Sequence, residues 1–297
     1  VRQIIKQFNK KTAFTIIELL TVMSIIVILI GLLVPSLNMV KRYAKEVKQK
    51  AQFHSIDSAL ELFNGEWGSY PPSNARDGAA TPLPYCGAMT LCEAMVGQDL
   101  MGFHPRSRFC ANGAADCDTD WIYATPSDLY QPTSENLRAR KTYLQQTSDA
   151  YRLKQLYADT MPFNEELYVL CDVYDRVKHR ETGKGVGMPI LYYRAETLNV
   201  IHDPCTSGVA MPPTWDNSNG YIYNYWDNQD LVLMGLPWNP AATHPLSTTP
   251  ERFYEITKDK RVTIEAGRPY RPDSYILISA GYDGMYGTDD DIFNFGE

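Results

Sequence analysis

Glu18 lies inside the stretch KKTAFTIIELLTVMSIIVILIGLLVPSL, residues 10–37. From Phe14 to Val34, 21 residues, the run is apolar except for small polar residues and this one carboxylate. That is about the length an α-helix needs to cross a bilayer. A carboxylate there costs roughly 2.5–3.5 kcal/mol on insertion scales, so it needs a partner and marks a functional position. A second group of carboxylates sits near the other end, in SAGYDGMYGTDDDIFNF (279–295). Asp283, Asp289, Asp290 and Asp291 crowd together there, with Gly281, Gly284 and Gly287 allowing a tight backbone. Such close carboxylates repel one another unless a cation sits among them. Several oxygens on a flexible loop suit Ca²⁺, which takes six to eight oxygen ligands. The spacing is not that of an EF-hand. The plainer alternative is a solvated acidic tail.

Residues for catalysis are hard to find. The chain has no GxSxG, HExxH, GxxxxGK[ST] or dinucleotide fingerprint. His202, Asp203 and Cys205 are close in HDPC, but Pro204 favours a turn there. The aromatic cluster YIYNYWDN (221–228) either stacks a sugar or fills the core of a sheet. All six cysteines (Cys86, Cys92, Cys110, Cys117, Cys171, Cys205) follow the apolar run. An even number in an exported domain suggests disulfides, with Cys86/Cys92 and Cys110/Cys117 as the near pairs. Zinc is the rival use, but no CxxC spacing is present.

Charge is unevenly spread. Residues 1–13 carry Arg2, Lys6, Lys10 and Lys11 and no acid, whereas residues 65–297 hold 19 basic and 31 acidic residues. An acidic body argues against nucleic acid as a partner. It is compatible with cation binding and with solubility outside the cell.

The N-terminal segment admits three readings. A cleaved secretory signal fits the basic start, but the apolar run is too long and no A-x-A site follows. A plain membrane anchor leaves Glu18 unexplained. Thirdly, KKTAFTIIELLTVMSIIVILIGLLVPSL resembles the signal of type IV pilins and pseudopilins. In that family a short basic leader is cut off before a Phe, which is then N-methylated, and the fifth mature residue is Glu. The resemblance implies a cut between Ala13 and Phe14, methylation of Phe14, and Glu18 as the fifth residue. Ala13 stands where the family usually has Gly. Glu18 would then pair with the N-terminal amine of a neighbouring subunit and set register in a filament. Either charge alone in hydrocarbon is costly, so pairing is favourable. The bland alternative is that Glu18 reaches the membrane surface. Basic residues flank the run on both sides, so they do not fix its orientation.

The elements that position these residues follow from periodicity. Leu37, Val40, Ala44, Val47, Ala51 and His54, overlapped by Phe53, Ile56, Leu60 and Phe63, form an apolar face that continues the helix. A helix over 14–64 would be roughly 75 Å long at 1.5 Å per residue. Its second half is expected to pack on the body. Gly31 and Pro35 suggest a kink or a region that extends during assembly. Gly65 is the expected stop, followed by the turn GEWGSYPPSN. Helices are expected over Thr90–Met101, Ser134–Tyr157 and Asn164–Val177. MPILYYRA (188–195), YIYNYW (221–226) and DSYILISA (273–280) read as strands. Stretches 202–217 and 237–250 read as loops.

The fold class is therefore α+β: a leader (1–13), a long helix (14–64, spanning the membrane over 14–34), and a globular body (65–297) with a small antiparallel sheet. The strand and acidic loop of 278–297 resemble the calcium loop of the major pseudopilin of type II secretion systems. That resemblance implies Asp283 and Asp289 as side-chain ligands of Ca²⁺, with Asp290 or Asp291 completing the set. It covers about 65 residues at one end and 25 at the other, which leaves a large insertion between them. The family implies a non-enzymatic filament subunit. Its partners would be further copies of itself, a prepilin peptidase and an inner-membrane assembly platform. It would lie in the inner membrane with its body in the periplasm, then in a periplasmic or extracellular filament. The alternatives are an adhesive or motility type IV pilin, and a monomeric membrane-anchored protein that binds a surface in a calcium-dependent way.

Overall fold

The structure is a computed structural model. It describes residues 15–73, 84–111, 129–145, 149–157, 164–202, 220–239, 241–249, 251–262 and 267–296, the side chain of Pro35 excepted. The expected leader 1–13 and the cleavage residues Ala13 and Phe14 lie outside them. The chain divides into two compact units, Val1–Ala44 and Lys45–Glu297.

Helix α1 runs from Ile16 to Trp67. In the first unit its apolar side chains stand exposed, from Ile16 at 85% through Ile25 at 56% to Val34 at 52%. The backbone stays helical through Pro35, so the chain does not melt there. Gly31, four residues earlier, has open space around it. Among the described residues this is the one helix long and apolar enough to cross a membrane.

In the second unit the same helix changes character. Phe53, Ile56, Leu60 and Phe63 are buried. Each such side chain contributes about 1.5–3 kcal/mol when removed from water. The neighbouring stripe through Val47, Ala51 and His54 stays exposed, so only one of the two overlapping faces is used. The helix also passes the expected stop at Gly65. It ends at Trp67, where Gly68 turns to φ +74° and its N–H bonds the Asn64 carbonyl. That positive φ is the usual glycine terminator.

The body holds helices and small antiparallel sheets, an α+β mixture. Helix α2 (Gly87–Val96) is buried along its length. It lies earlier than the expected 90–101, because the chain turns at Gly97 and Leu100 takes a positive φ. The charged stretch 134–157 is not one helix. It gives α3 (Ser134–Ala139), strand β1 (Ala150–Arg152) and α4 (Leu153–Leu156). Arg140 leaves the helix in an extended conformation and reaches Asp99 and the carbonyls of Leu129 and Gln131. The stretch 164–177 is not helical either. It forms β2 (Tyr168–Leu170), antiparallel to β1, and enters β3 (Val177–Lys178), antiparallel to β4 (Gly185–Val186).

The three-stranded sheet carries the acidic loop near the end of the chain. Strand β5 (Leu191–Arg194) pairs antiparallel with β6 (Tyr275–Ser279), with Leu191 opposite Ile278 and Arg194 opposite Tyr275. Strand β7 (Ile292–Phe293) adds to the other side of β6. Both expected strands at 188–195 and 273–280 are therefore present. All of β6 is buried, as suits a central β-branched and aromatic strand. The YIYNYW stretch is not a strand: Tyr221 makes an isolated bridge to Ile201, and Tyr225–Asn228 forms a 3₁₀ turn. Tyr221, Tyr223 and Tyr225 are buried, so the cluster is core and not a sugar platform. Three short helices, α5 (Gln229–Leu233), α6 (Pro245–Thr248) and α7 (Glu251–Thr257), complete the body.

Candidate functional sites

Glu18 has a partner in its own chain. Thr15 donates to the Glu18 carboxylate from its backbone N–H (2.8 Å) and its hydroxyl (2.7 Å). The Glu18 N–H in turn reaches the Thr15 hydroxyl at 3.3 Å. This reciprocal T-x-x-E arrangement is a capping box, which satisfies amide donors that a helix start leaves open. The spacing Thr15–Ile–Ile–Glu18 is the signal that identifies it in the sequence.

The acidic loop hangs between β6 and β7, so the sheet fixes both its ends. Gly281 opens it at φ +63°, and a Cβ there would lie 2.1 Å from the Asp290 carbonyl oxygen. Only glycine allows the two backbone segments to come so close. Across this contact the Asp283 N–H donates to Asp290 Oδ2 at 2.9 Å. Asp283 Oδ1 accepts the Met285 N–H at 2.7 Å, and Asp290 Oδ1 accepts the Thr288 hydroxyl at 2.7 Å. Asp291 Oδ2 accepts the Gly287 N–H at 2.7 Å. Its other oxygen, Oδ1, is out of contact with water and has no hydrogen-bond partner.

The electrostatics follow that geometry. Burial, with the charges of Asp283 and Asp290 adding, pushes the Asp291 carboxyl well above the carboxylate range. Burial and the Asp290 charge also raise Asp283. Burial acts on Asp290 too, but the hydrogen bonds from Thr288 and Asp283 outweigh it and hold the carboxyl low. Asp289 behaves differently from the expectation. Its side chain is 99% exposed and bonds Arg252 Nη2 at 3.0 Å, so it faces away from its two acidic neighbours. Among the described residues, no group of three or more His, Cys, Asp or Glu is arranged to hold a metal ion.

Several loop supports are not evident from sequence patterns. His244 accepts the Tyr286 N–H on Nδ1 at 3.1 Å, which leaves Nε2–H to donate to the Gly235 carbonyl at 3.2 Å. Burial lowers its pKa to about 4, so it stays neutral and keeps both bonds. Tyr286 is fully buried and donates its hydroxyl to the Pro189 carbonyl. Arg176 bonds the Asp283 carbonyl at 3.3 Å and lies over the rings of Trp238 and Tyr282. Below the sheet, Ser279 donates to Asp172 at 2.8 Å, and burial raises the Asp172 pKa to about 7.

The cysteines need a correction. Cys92 and Cys171 are buried thiols outside any disulfide, so the Cys86/Cys92 pair is not formed. Cys86 caps α2 and Cys92 lies within it, which places them about 9 Å apart along the axis. A disulfide needs Cα atoms roughly 4.4–6.8 Å apart. Cys110 is in a disulfide, and Cys117 and Cys205 lie outside the described residues. Asp203 and Pro204 of HDPC also lie outside them. His202 is buried, with Nε2 on the Tyr254 carbonyl at 3.0 Å.

No protein-family model, no curated protein and no solved structure matches this chain.

Proposed function

We propose that the protein is a non-enzymatic filament subunit of the type IV pilin and pseudopilin kind. It would be held in the inner membrane by the first part of α1 and assembled through that helix. The observation that carries the reading is the exposed apolar run that begins at a capped, acidic first turn. So many exposed apolar side chains on one helix require lipid or other helices around them. A membrane satisfies that need before assembly, and neighbouring helices satisfy it afterwards. Glu18 supports assembly because its carboxylate stands at the exposed start of the run, open to a neighbour's amine. The prepilin peptidase and the assembly platform are the partners this reading requires.

The acidic loop supports a calcium clamp in the pseudopilin manner. Asp283, Asp290 and Asp291 are the side chains that would hold the ion, after turning their oxygens together, since they are not grouped for a metal as they stand, and Asp289 is left out of the set. The fit rests on the partnerless Asp291 oxygen beside two like charges, an arrangement a divalent cation relieves. Bound calcium would tie the end of the chain to β6.

One observation favours a second reading, a membrane-anchored protein that stays monomeric. Thr15 already satisfies Glu18 within the chain, so the helix can stand as a plain anchor. The experiment is electron microscopy of sheared cell surfaces from cells producing the native chain or Glu18→Ala. Filaments from the native chain and none from the variant, with both retained in the membrane, are expected. Normal filaments from Glu18→Ala would remove the register role. An absence of filaments from the native chain would leave the anchored monomer.

A further inference from the structure

An open cleft of about 810 Å³ runs between the second half of α1 and the last residues of the chain. Its wall is aromatic: Tyr270 and Phe295 stack at 4.5 Å and 20°, and Phe293 leans on Phe295 at 4.9 Å. Its rim is basic, from Lys50 and His54 on the helix and Lys260 and Arg261 opposite. This is unusual in a body whose residues 65–297 carry 31 acids against 19 basic residues.

Among the described residues, the one acid lining the cleft, Asp57, is committed inward. Asp57 accepts the Tyr275 hydroxyl at 2.8 Å and the Asn294 amide at 3.0 Å, and lies 3.4 Å from Arg271. Arg261 holds Asp259 through two bonds, at 2.9 and 2.8 Å, and lies over the Tyr270 ring. Lys50 pairs with Glu46, in an exposed pair one helical turn away. Pairs of that kind are worth about 0–1 kcal/mol and exchange readily. Lys50 and Lys260 therefore bring positive charge to a cleft with an aromatic wall.

We propose that this cleft receives a carboxylate-bearing segment of a second copy of the chain. Charge complementarity selects that occupant, because the same chain supplies a large excess of acids on its body. The aromatic wall gives the contact an apolar centre and the lysines give it a polar rim, the usual anatomy of a protein interface. The cleft is open and lies on α1, the element along which copies meet in the filament reading, and the inference rests on that reading.

The test uses the full chain in living cells, with Lys260→p-benzoylphenylalanine as a photocrosslinker. Irradiation is expected to give a dimer whose crosslinked peptide, read by mass spectrometry, is an acidic segment of the same protein. Lys50→Glu combined with Lys260→Glu is expected to lower that dimer, read by a crosslinker at His54, at least about tenfold, a shift of about 1.4 kcal/mol. Lys50→Arg with Lys260→Arg is expected to keep it. Crosslinks only to another protein, or none while filaments form, would overturn the cleft contact and leave the filament reading standing. A crosslinked dimer in cells that make no filament would remove the filament reading and leave the contact.

Discussion

Asp291→Asn should change the sign of its effect on stability when calcium is added. Without calcium, the native Asp291 keeps Oδ1 buried and partnerless, beside Asp283 and Asp290. An unsatisfied buried polar group costs about 1–3 kcal/mol, and a charged one more. Asparagine keeps an oxygen for the Gly287 N–H, cannot ionise, and places N–H donors beside two carboxylates. The variant should therefore be more stable than the native protein by about 1–3 kcal/mol in chelator. At roughly 2–4 °C per kcal/mol for a body of this size, that is a rise in Tm of about 2–12 °C. With calcium at a thousandfold its Kd, the native protein gains about 4.1 kcal/mol, more than that lead. The variant lacks a charged ligand and gains less, so the order reverses. The pH dependence has the same origin. A carboxyl raised in the folded state adds stability below its unfolded pKa and loses it as pH rises through the folded value. Asp291→Asn should flatten that loss in the absence of calcium. The assay is thermal unfolding of the full chain in detergent near neutral pH, with chelator and then with calcium. A variant less stable than the native protein in chelator would refute the orphan-oxygen argument. An order unchanged by calcium would refute the calcium clamp.

Other perturbations test other parts of the structure. Gly281→Ala should cost at least about 1–2 kcal/mol from the left-handed backbone alone, and more from the clash with Asp290, read by urea unfolding. Asp172→Asn should flatten the pH dependence of stability between about 4 and 7. The native carboxyl, raised to about 7, favours the folded state below the ordinary carboxylate pKa and loses that contribution by neutral pH. An unchanged pH profile would place the titration elsewhere. Leu60→Ala should cost about 2–5 kcal/mol, because Leu60 is fully buried where α1 meets the body, and a loss under 1 kcal/mol would contradict that packing.

Some elements were legible in the sequence for physical reasons. A long unbroken apolar run with one amphipathic continuation has few ways to fold, so α1 was visible nearly to its end. The buried strands β5 and β6 were visible because β-branched and aromatic residues cluster there. The stretch 134–157 was misread because its charges suit a solvated helix, while Arg140 is pulled out by Asp99, a partner 41 residues away. The tyrosines of 221–226 have strand composition, but Tyr223 donates its hydroxyl to the Arg271 carbonyl and Asn224 caps the Trp226 N–H. The Tyr223 bond, to a residue 48 positions away, leaves no local signature. In the acidic loop, three consecutive aspartates are equivalent in composition. Turn geometry alone sends Asp289 outward to Arg252 and Asp291 inward.

The capping box at the start of α1 has one more consequence. The Glu18 carboxylate that caps the first turn is the same group a neighbouring subunit would recruit. Both Thr15 bonds fall on Oε2, so Oε1 would be the atom to meet that amine. In the filament reading the helix would keep its cap as the subunit joins, and the roughly 0.5–2 kcal/mol that a lost cap costs would not weigh against assembly. Thr15 would then hold the lone helix wound and its acid oriented until the amine arrives.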